Sequence, residues 1–242
     1  MDLTTAIGSA DGSICVVGAG GKTTTMFALA HRSERAVVTA TVNIPIFDRE
    51  VATVDVTTDP VGTLDTAPDS FPLGLVPDRA GSNRYRGYEP GTVDSIAANH
   101  DGQLLVKADG ARMREFKAPG ENEPRIPDSA AVIVPVVSVH AVGKPLTGHW
   151  VHRPERVAAI TGSEIGDEIT ADTVATVLTA DDGGLKGVPS DATVIPLLTK
   201  VDTPAHERAA RAVAESTHER AGRTAVDIPH VALGRFDAFE TI

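Results

Sequence analysis

The chain has 242 residues, 41% of them apolar but only 4% aromatic, and a formal net charge of −11. That length suffices for one α/β domain whose core is mostly Val, Ala, Ile and Leu. The acidic balance excludes nucleic acid and anionic membrane as primary partners, because both require a basic face.

Ser13–Val17 reads as a short buried strand, and Gly18–Thr24 follows as a glycine-rich turn. Residues 23–31 have helical spacing, with Met26, Phe27 and Ala30 on one face. A second strand is expected over 36–42. The stretch 43–100 is irregular, with strands near 51–56 and 71–76. Residues 103–108 form a strand ending at Asp109, and 110–128 a charged, proline-rich loop. The apolar run 131–139 is expected to be a central strand, and 154–160 and 167–179 helices. A strand over 193–198 ends at Thr199. A helix over 204–220 begins with Pro204, at a first-turn position where its missing N–H costs nothing. Residues 226–233 suggest a last edge strand. The alternation implies one domain over 1–242, with a mostly parallel sheet and helices on both faces.

No apolar run reaches the length of a membrane span, and the N-terminal residues lack the basic-then-apolar order of a signal peptide. Cys15 is the one cysteine, so no internal disulfide forms, and a cytoplasmic location is expected. Arginine outnumbers the six lysines, and Asp, Glu, Thr, Val and Ala are abundant. This is the surface expected of a protein from a salt-loving organism, so the acidity reflects environment rather than ligand.

The turn after the first strand carries the clearest chemistry. Gly18, Ala19, Gly20, Gly21, Lys22, Thr23 and Thr24 stand between a buried strand and a helix. Such a turn exposes backbone N–H groups at a positive helix end, which suits phosphate. Lys22 is placed for the β and γ oxygens of a nucleoside triphosphate, Thr23 for Mg²⁺, and Thr24 for the α phosphate. The pattern is the shortened G-x-x-G-K-T form, since Val16 occupies the place of a further glycine. Asp109, ending a neighbouring strand, is the candidate metal carboxylate. Thr199-Lys200-Val201-Asp202 resembles the guanine-recognition motif [NT]KxD. In that reading Asp202 accepts two hydrogen bonds from guanine and Lys200 packs on the base. The same residues also fit a solvated loop ending in a helix cap, so GTP and ATP both stay open.

Further stretches carry a resemblance. They are Ala108-Asp109-Gly110-Ala111-Arg112, then Lys117-Ala118-Pro119 with Glu121 through Pro127, then Gly143 through Leu146 and Val151 through Val157. With the glycine-rich loop they resemble, in order, the YqeC family, described as selenium-dependent hydroxylase accessory or selenium cofactor biosynthesis proteins. The resemblance spans residues 14 to about 202. It implies a three-layer P-loop NTPase-like fold. It also implies a role in maturing molybdenum hydroxylases, with such a hydroxylase or its cofactor as a partner. Two positions depart from the family pattern. Lys107 stands where the family usually has Glu, and Thr39-Ala40-Thr41-Val42-Asn43 replaces a run of threonines, leaving Thr39 and Thr41 as phosphate-side candidates.

Arg112, Arg114 and Lys117 are placed to touch phosphate or an anionic second substrate, or to pair with surface carboxylates. Arg112 joins Lys22 and Asp109 as the expected catalytic set for triphosphate hydrolysis. A kinase or ligase activating a small cofactor or acid, or a nucleotide-gated binding module without turnover, are the alternatives. Glu121 and Glu123 suit positioning of water or substrate, or turn caps. His152, Arg153 and Glu155 read as a helix start but carry the family pattern. No Cys/His cluster has transition-metal spacing, and His140, His149 and His152 are too loosely spaced to count. Cys15, inside an apolar strand, is expected to be an inert core residue rather than a carrier of selenium.

Overall fold

The computed structural model describes residues 6–7, 12–66, 70–235 and the backbone of 239–241. The first half contains β1 (Ser13–Gly18), α1 (Lys22–Ala30), β2 (Val37–Ala40), β3 (Ile44–Pro45), β4 (Thr53–Val56), α2 (Pro60–Thr66), β5 (Leu73–Val76), β6 (Arg84–Tyr85) and α3 (Pro90–Ala98). The second contains β7 (Leu104–Lys107), β8 (Phe116–Lys117), β9 (Ala130–Ser138), β10 (Val151–His152), α4 (Pro154–Thr161), α5 (Ala171–Thr179), β11 (Thr193–Val194), β12 (Leu197–Thr199), α6 (Pro204–Ala221), β13 (Ala232–Gly234) and β14 (Phe239–Thr241).

One large sheet runs β14-β13-β12-β9-β1-β7-β2-β5-β4, with β11 also against β9. Every pairing in it is parallel except β13 with β14. Strands covered on both faces need apolar residues at every position. In β1, Ile14 and Val16 pack on one side with Met26 and Leu29 of α1. Cys15 and Val17 pack on the other with Val93 and Ile96 of α3. A third cluster joins Val137 and Leu198 to Val174, Leu178 and Val213 of α5 and α6. The protein is therefore a three-layer α/β fold with a mostly parallel sheet, consistent with a P-loop-like architecture.

Three strand expectations need correction. The strand expected over 193–198 is two pieces, β11 and β12, broken at Pro196, because proline cannot donate to the ladder. Residues 226–231 contribute one bridge, Thr193 to Asp227, and the strand proper is 232–234. That strand is not the edge, since β14 lies outside it. The helix expected from 167 starts at Ala171, where Thr170 and Thr173 form a reciprocal cap. Helices α2 and α3, each begun by proline, lie in the stretch read as irregular.

Because the sheet is parallel, β1, β7, β9 and β12 all deliver their carboxyl ends to one edge. Gly18, Asp109, Ser138 and Thr199 meet there. In open α/β sheets, ligands bind at this edge where strand order reverses, here beside β1.

Candidate functional site

The loop from Gly18 to Gly21 is held by its surroundings. Gly18 has φ +89°, and a Cβ there would stand 2.2 Å from Val136 O. Gly20 has φ +84°, and a Cβ would stand 2.5 Å from Ser138 Cβ. Only glycine fits both backbone and space. Ala19 N–H donates to Val136 O at 2.7 Å, and Thr199 Oγ1 donates to Gly20 O at 2.6 Å. The loop is thus tied to the ends of β9 and β12.

Helix α1 begins at Gly21 with no side-chain cap and no acidic residue in its first turn. In contrast, α5 and α6 have Thr170 and Thr203 as caps and Asp172 and Glu207 in their first turns. The first-turn N–H groups of α1 lack intrahelical partners by geometry, and no side chain supplies them. The end of α1 is an open anion cradle.

Behind the cradle lies a buried ion cluster. Lys22 Nζ donates to Gly18 O and lies 3.0 Å from Asp109 Oδ1. Asp109 Oδ2 accepts from Gly18 N–H at 2.8 Å and lies 2.9 Å from Lys117 Nζ. Lys117 Nζ also donates to Gly110 O at 2.6 Å and to Glu123 Oε2 at 3.1 Å. Glu123 Oε2 accepts from Arg153 Nη1 at 2.8 Å. Lys107 Nζ donates to Asn43 O and Asp109 O at 2.9 and 2.7 Å. Half of the chain's six lysines are therefore buried in this one cluster.

Burial pushes Lys107 down to about 7, and the charge of Lys22 adds to the effect. Burial likewise lowers Lys22, against the attraction of Asp109. Burial alone would raise Glu123, but the Lys117 charge and the hydrogen bonds from Arg153 and Lys117 outweigh it and hold the carboxyl at about 2. Cys15 is fully buried and burial pushes its thiol up, so it is an inert core group as expected.

Asp109 Oδ1 is buried and receives no well-directed hydrogen bond, although Lys22 is close. That carboxylate oxygen, like the hydroxyl of the partly buried Thr23 on α1, is a hard oxygen donor of the type Mg²⁺ takes. Thr39 and Thr41 are not free for phosphate. Their hydroxyls donate to Leu75 O and Arg125 O, tying neighbouring strand ends together.

A second pocket, of about 430 Å³, adjoins the cradle and is lined by Gly20, Gly21, Thr24, Thr199, Lys200 and Asp202, among others. Lys200, at φ +61°, pairs with Glu115 Oε1 and Oε2 at 2.8 and 2.6 Å. Asp202 is about half exposed. The helix cap after it is Thr203, whose hydroxyl accepts from His206 N–H. Asp202 is therefore not the cap.

The fold also gathers His140, Asp202 and His206, with ligand atoms within 4.8 Å of one another. No spacing rule finds this trio, because the three residues belong to the short 3-10 turn after β9, the loop after β12 and the start of α6. Arg112 sits with φ +47° close enough to act on His152, while Met113 beside it has φ +60° and is 96% exposed.

A doubly wound α/β sheet with a glycine-rich strand-to-helix loop and a strand-end aspartate defines the class of this protein. The family model for "YqeC protein" matches residues 14–155, and the chain belongs to the YqeC family. It is 30% identical over 189 residues to "Uncharacterized protein YqeC" of Escherichia coli (strain K12), covering 73% of this chain and 71% of that protein.

Proposed function

We propose that the protein is a Mg²⁺-dependent nucleoside-triphosphate-binding and hydrolysing accessory protein, with GTP preferred over ATP. The process implied by the family resemblance is the maturation of selenium-dependent molybdenum hydroxylases. The observation that carries the reading is the bare N-terminus of α1 with Lys22 folded beside it. A buried cation at a positive helix end is unfavourable without an anion; here Asp109 supplies one at 3.0 Å, and a phosphate would take over that role at the uncapped helix end.

In this reading Lys22 leaves Gly18 O and Asp109 and swings to the phosphates. The first-turn N–H groups of α1 hold the phosphate oxygens. Thr23 and Asp109 would hold Mg²⁺, which supplies charge neutralisation between the phosphates. Arg112, exposed and close enough to act on His152, is suited to the outer phosphate or a second substrate. The pocket at Thr199–Asp202 is contiguous with the cradle through Gly20 and Gly21, which supports it as the base site. Asp202 favours guanine, because adenine leaves a carboxylate without its donors.

The reading is tested by calorimetric titration of GTP and ATP with Mg²⁺, and by phosphate release from each. Micromolar binding of GTP, weaker binding of ATP, and release of phosphate without added acceptor are expected. No binding of either nucleotide would overturn it.

A further inference from the structure

We propose that the cleft between the Gly120–Arg125 segment and the start of α4 receives the oxyanion, phosphate or carboxylate, of a small second substrate. The proposal deepens the nucleotide-binding reading, taking the neighbouring phosphate loop as the nucleotide site.

The cleft has a volume of about 530 Å³ and is lined by Gly120, Glu121, Glu123, Arg125, Arg153 and Arg156, among others. That is the size range of small-molecule sites, roughly 300–1,000 Å³. Three arginines line it, Arg125 from the 120–125 segment and Arg153 and Arg156 from the start of α4, in a chain of net charge −11. Lys186 adds a fourth cation at the rim, donating to Gly120 O and Glu121 O at 2.5 and 3.0 Å. Arg112, Lys117 and Arg153 act together on His152. Burial and those three charges hold its imidazole down to about 4, so it is neutral at pH 7.

The arginines have carboxylate partners, but of two kinds. Arg125 pairs with Glu89 and Arg156 with Glu121, whose side chains are 77% and 86% exposed. Exposed pairs of this sort contribute about 0–1 kcal/mol, so a ligand oxyanion exchanges with them at little cost. Glu123 is only 22% exposed and stays between Arg153 and Lys117. The planar guanidinium fork presents paired N–H groups to carboxylate or phosphate oxygens.

The cleft is built before any ligand arrives. Arg125 N–H donates to Ala108 O at 2.9 Å, and Thr41 Oγ1 donates to Arg125 O at 2.6 Å. These bonds pin the segment to the ends of β7 and β2. Arg153 holds the left-handed conformation, φ +64°, just before Pro154. Its guanidinium packs close against Gly120, where an added Cβ would be 2.9 Å from Cζ and Nη2. A strained, close-packed arginine of this kind marks a position that its surroundings impose. From Arg153 the contacts run through Glu123, Lys117 and Asp109 to Lys22. Occupancy of the cleft and of the phosphate loop therefore share one set of ion pairs.

The test is calorimetric titration of pyrophosphate, and separately of malonate, into protein saturated with Mg²⁺ and a non-hydrolysable GTP analogue. One of the two anions is expected to bind, which also separates a phosphate-bearing substrate from a carboxylate-bearing one. Arg156→Ala and Arg153→Lys should each weaken it about tenfold or more, the loss of one charge-assisted hydrogen bond. Arg156→Ala should leave GTP-analogue affinity unchanged. Failure of both anions to bind, or binding indifferent to both substitutions, overturns the proposal. If no nucleotide binds, the phosphate-loop reading falls separately, and the anions are titrated into Lys22→Ala protein. Dependence on Arg156 there upholds the cleft, and indifference to it overturns the cleft.

Discussion

Lys22 Nζ lies 3.0 Å from Asp109 Oδ1, and the two side chains are 7% and 2% exposed. One belongs to the helix that follows β1, and the other to the loop that follows β7. A parallel pairing of the two strands brings their ends together. The pair is buried but incomplete, because Oδ1 has no aligned donor. Asp109 keeps Gly18 N–H and Lys117 whether Lys22 stays or leaves.

Lys22→Ala should therefore fold, since Asp109 retains two partners. Triphosphate affinity should fall by roughly tenfold to a hundredfold, the loss of a charge-assisted hydrogen bond of about 1.5–3 kcal/mol. Asp109→Asn should act differently, weakening binding in Mg²⁺ much more than binding in EDTA. Titration of labelled GTP into both variants, with and without Mg²⁺, checks the pair. Equal losses for Asp109→Asn in the two conditions would make it a purely structural residue.

Lys107 gives a pH signature. Its folded value is about 7 against 10.5 in an unfolded chain. Between those values the unfolded chain holds a proton that the folded protein lacks. Stability therefore rises with pH across that window, by up to about 1.4 kcal/mol per pH unit, and this dependence is absent below about 7. Denaturant melts of wild type and Lys107→Met at pH 7, 8 and 9 isolate the contribution. The wild type should gain on the variant as pH rises. A constant difference would mean that Lys107 titrates normally.

Much of this was legible in the sequence. A glycine-rich turn follows the apolar strand β1, and Asp109 follows the strand that pairs directly with it in the sheet. Both stand at the predicted edge. Lys117 and Lys107 were not legible as partners of Asp109. A lysine in a charged loop has no sequence mark of burial, and the ion cluster arises from packing of β8 and the 120–125 segment. The same holds for Arg153 on Gly120 and for the His140, Asp202 and His206 trio, whose members are far apart in the chain. Helices α2 and α3 escaped because short segments with Pro, Gly and Thr have weak periodicity. The split of β11 from β12 was legible in Pro196 but outweighed by the apolar run around it.

Thr199 links the pocket at Thr199–Asp202 to the glycine-rich loop through its 2.6 Å bond to Gly20 O. Thr199→Val keeps the shape and removes the donor. Nucleotide affinity should drop several-fold for GTP and ATP alike, since the loop and not the base contact is loosened. A selective loss of GTP would instead place Thr199 among the base-reading groups. Competition titrations with both nucleotides distinguish the outcomes.

The acidic surface makes a prediction in salt. Screening of self-repulsion is largely complete near 1 M, where the Debye length is about 3 Å. If the carboxylates serve a concentrated-salt environment, the melting temperature should continue to climb in KCl above that point. Thermal melts from 0.2 to 3 M KCl measure this directly. A plateau above 1 M would leave simple screening as the whole effect.

Asp202 carries the sharpest prediction, because in the proposed reading it decides the base. It lies in the pocket that adjoins Gly20 and Gly21, and it is about half exposed. Its Oδ2 is 3.8 Å from His140 Nε2, too long for a hydrogen bond, so the carboxylate is not already satisfied there. Lys200 is drawn to Glu115, which holds the TKVD turn in its left-handed conformation beside the loop. A guanine offers Asp202 two donors, N1–H and the exocyclic amine, whereas adenine offers neither. The preference should be a few kcal/mol at most, since each such bond to a charged group contributes roughly 1.5–3 kcal/mol. Half-exposure places the expected value at the low end, near tenfold. Asp202→Asn should erase the preference for GTP and raise affinity for XTP, whose base presents an acceptor in place of the amine. Competitive binding of GTP, ATP and XTP to both proteins, at fixed Mg²⁺ and salt, reads this ranking. If wild type prefers ATP, or the ranking survives Asp202→Asn, base choice lies elsewhere in the pocket and the TKVD turn serves only to hold the loop through Thr199.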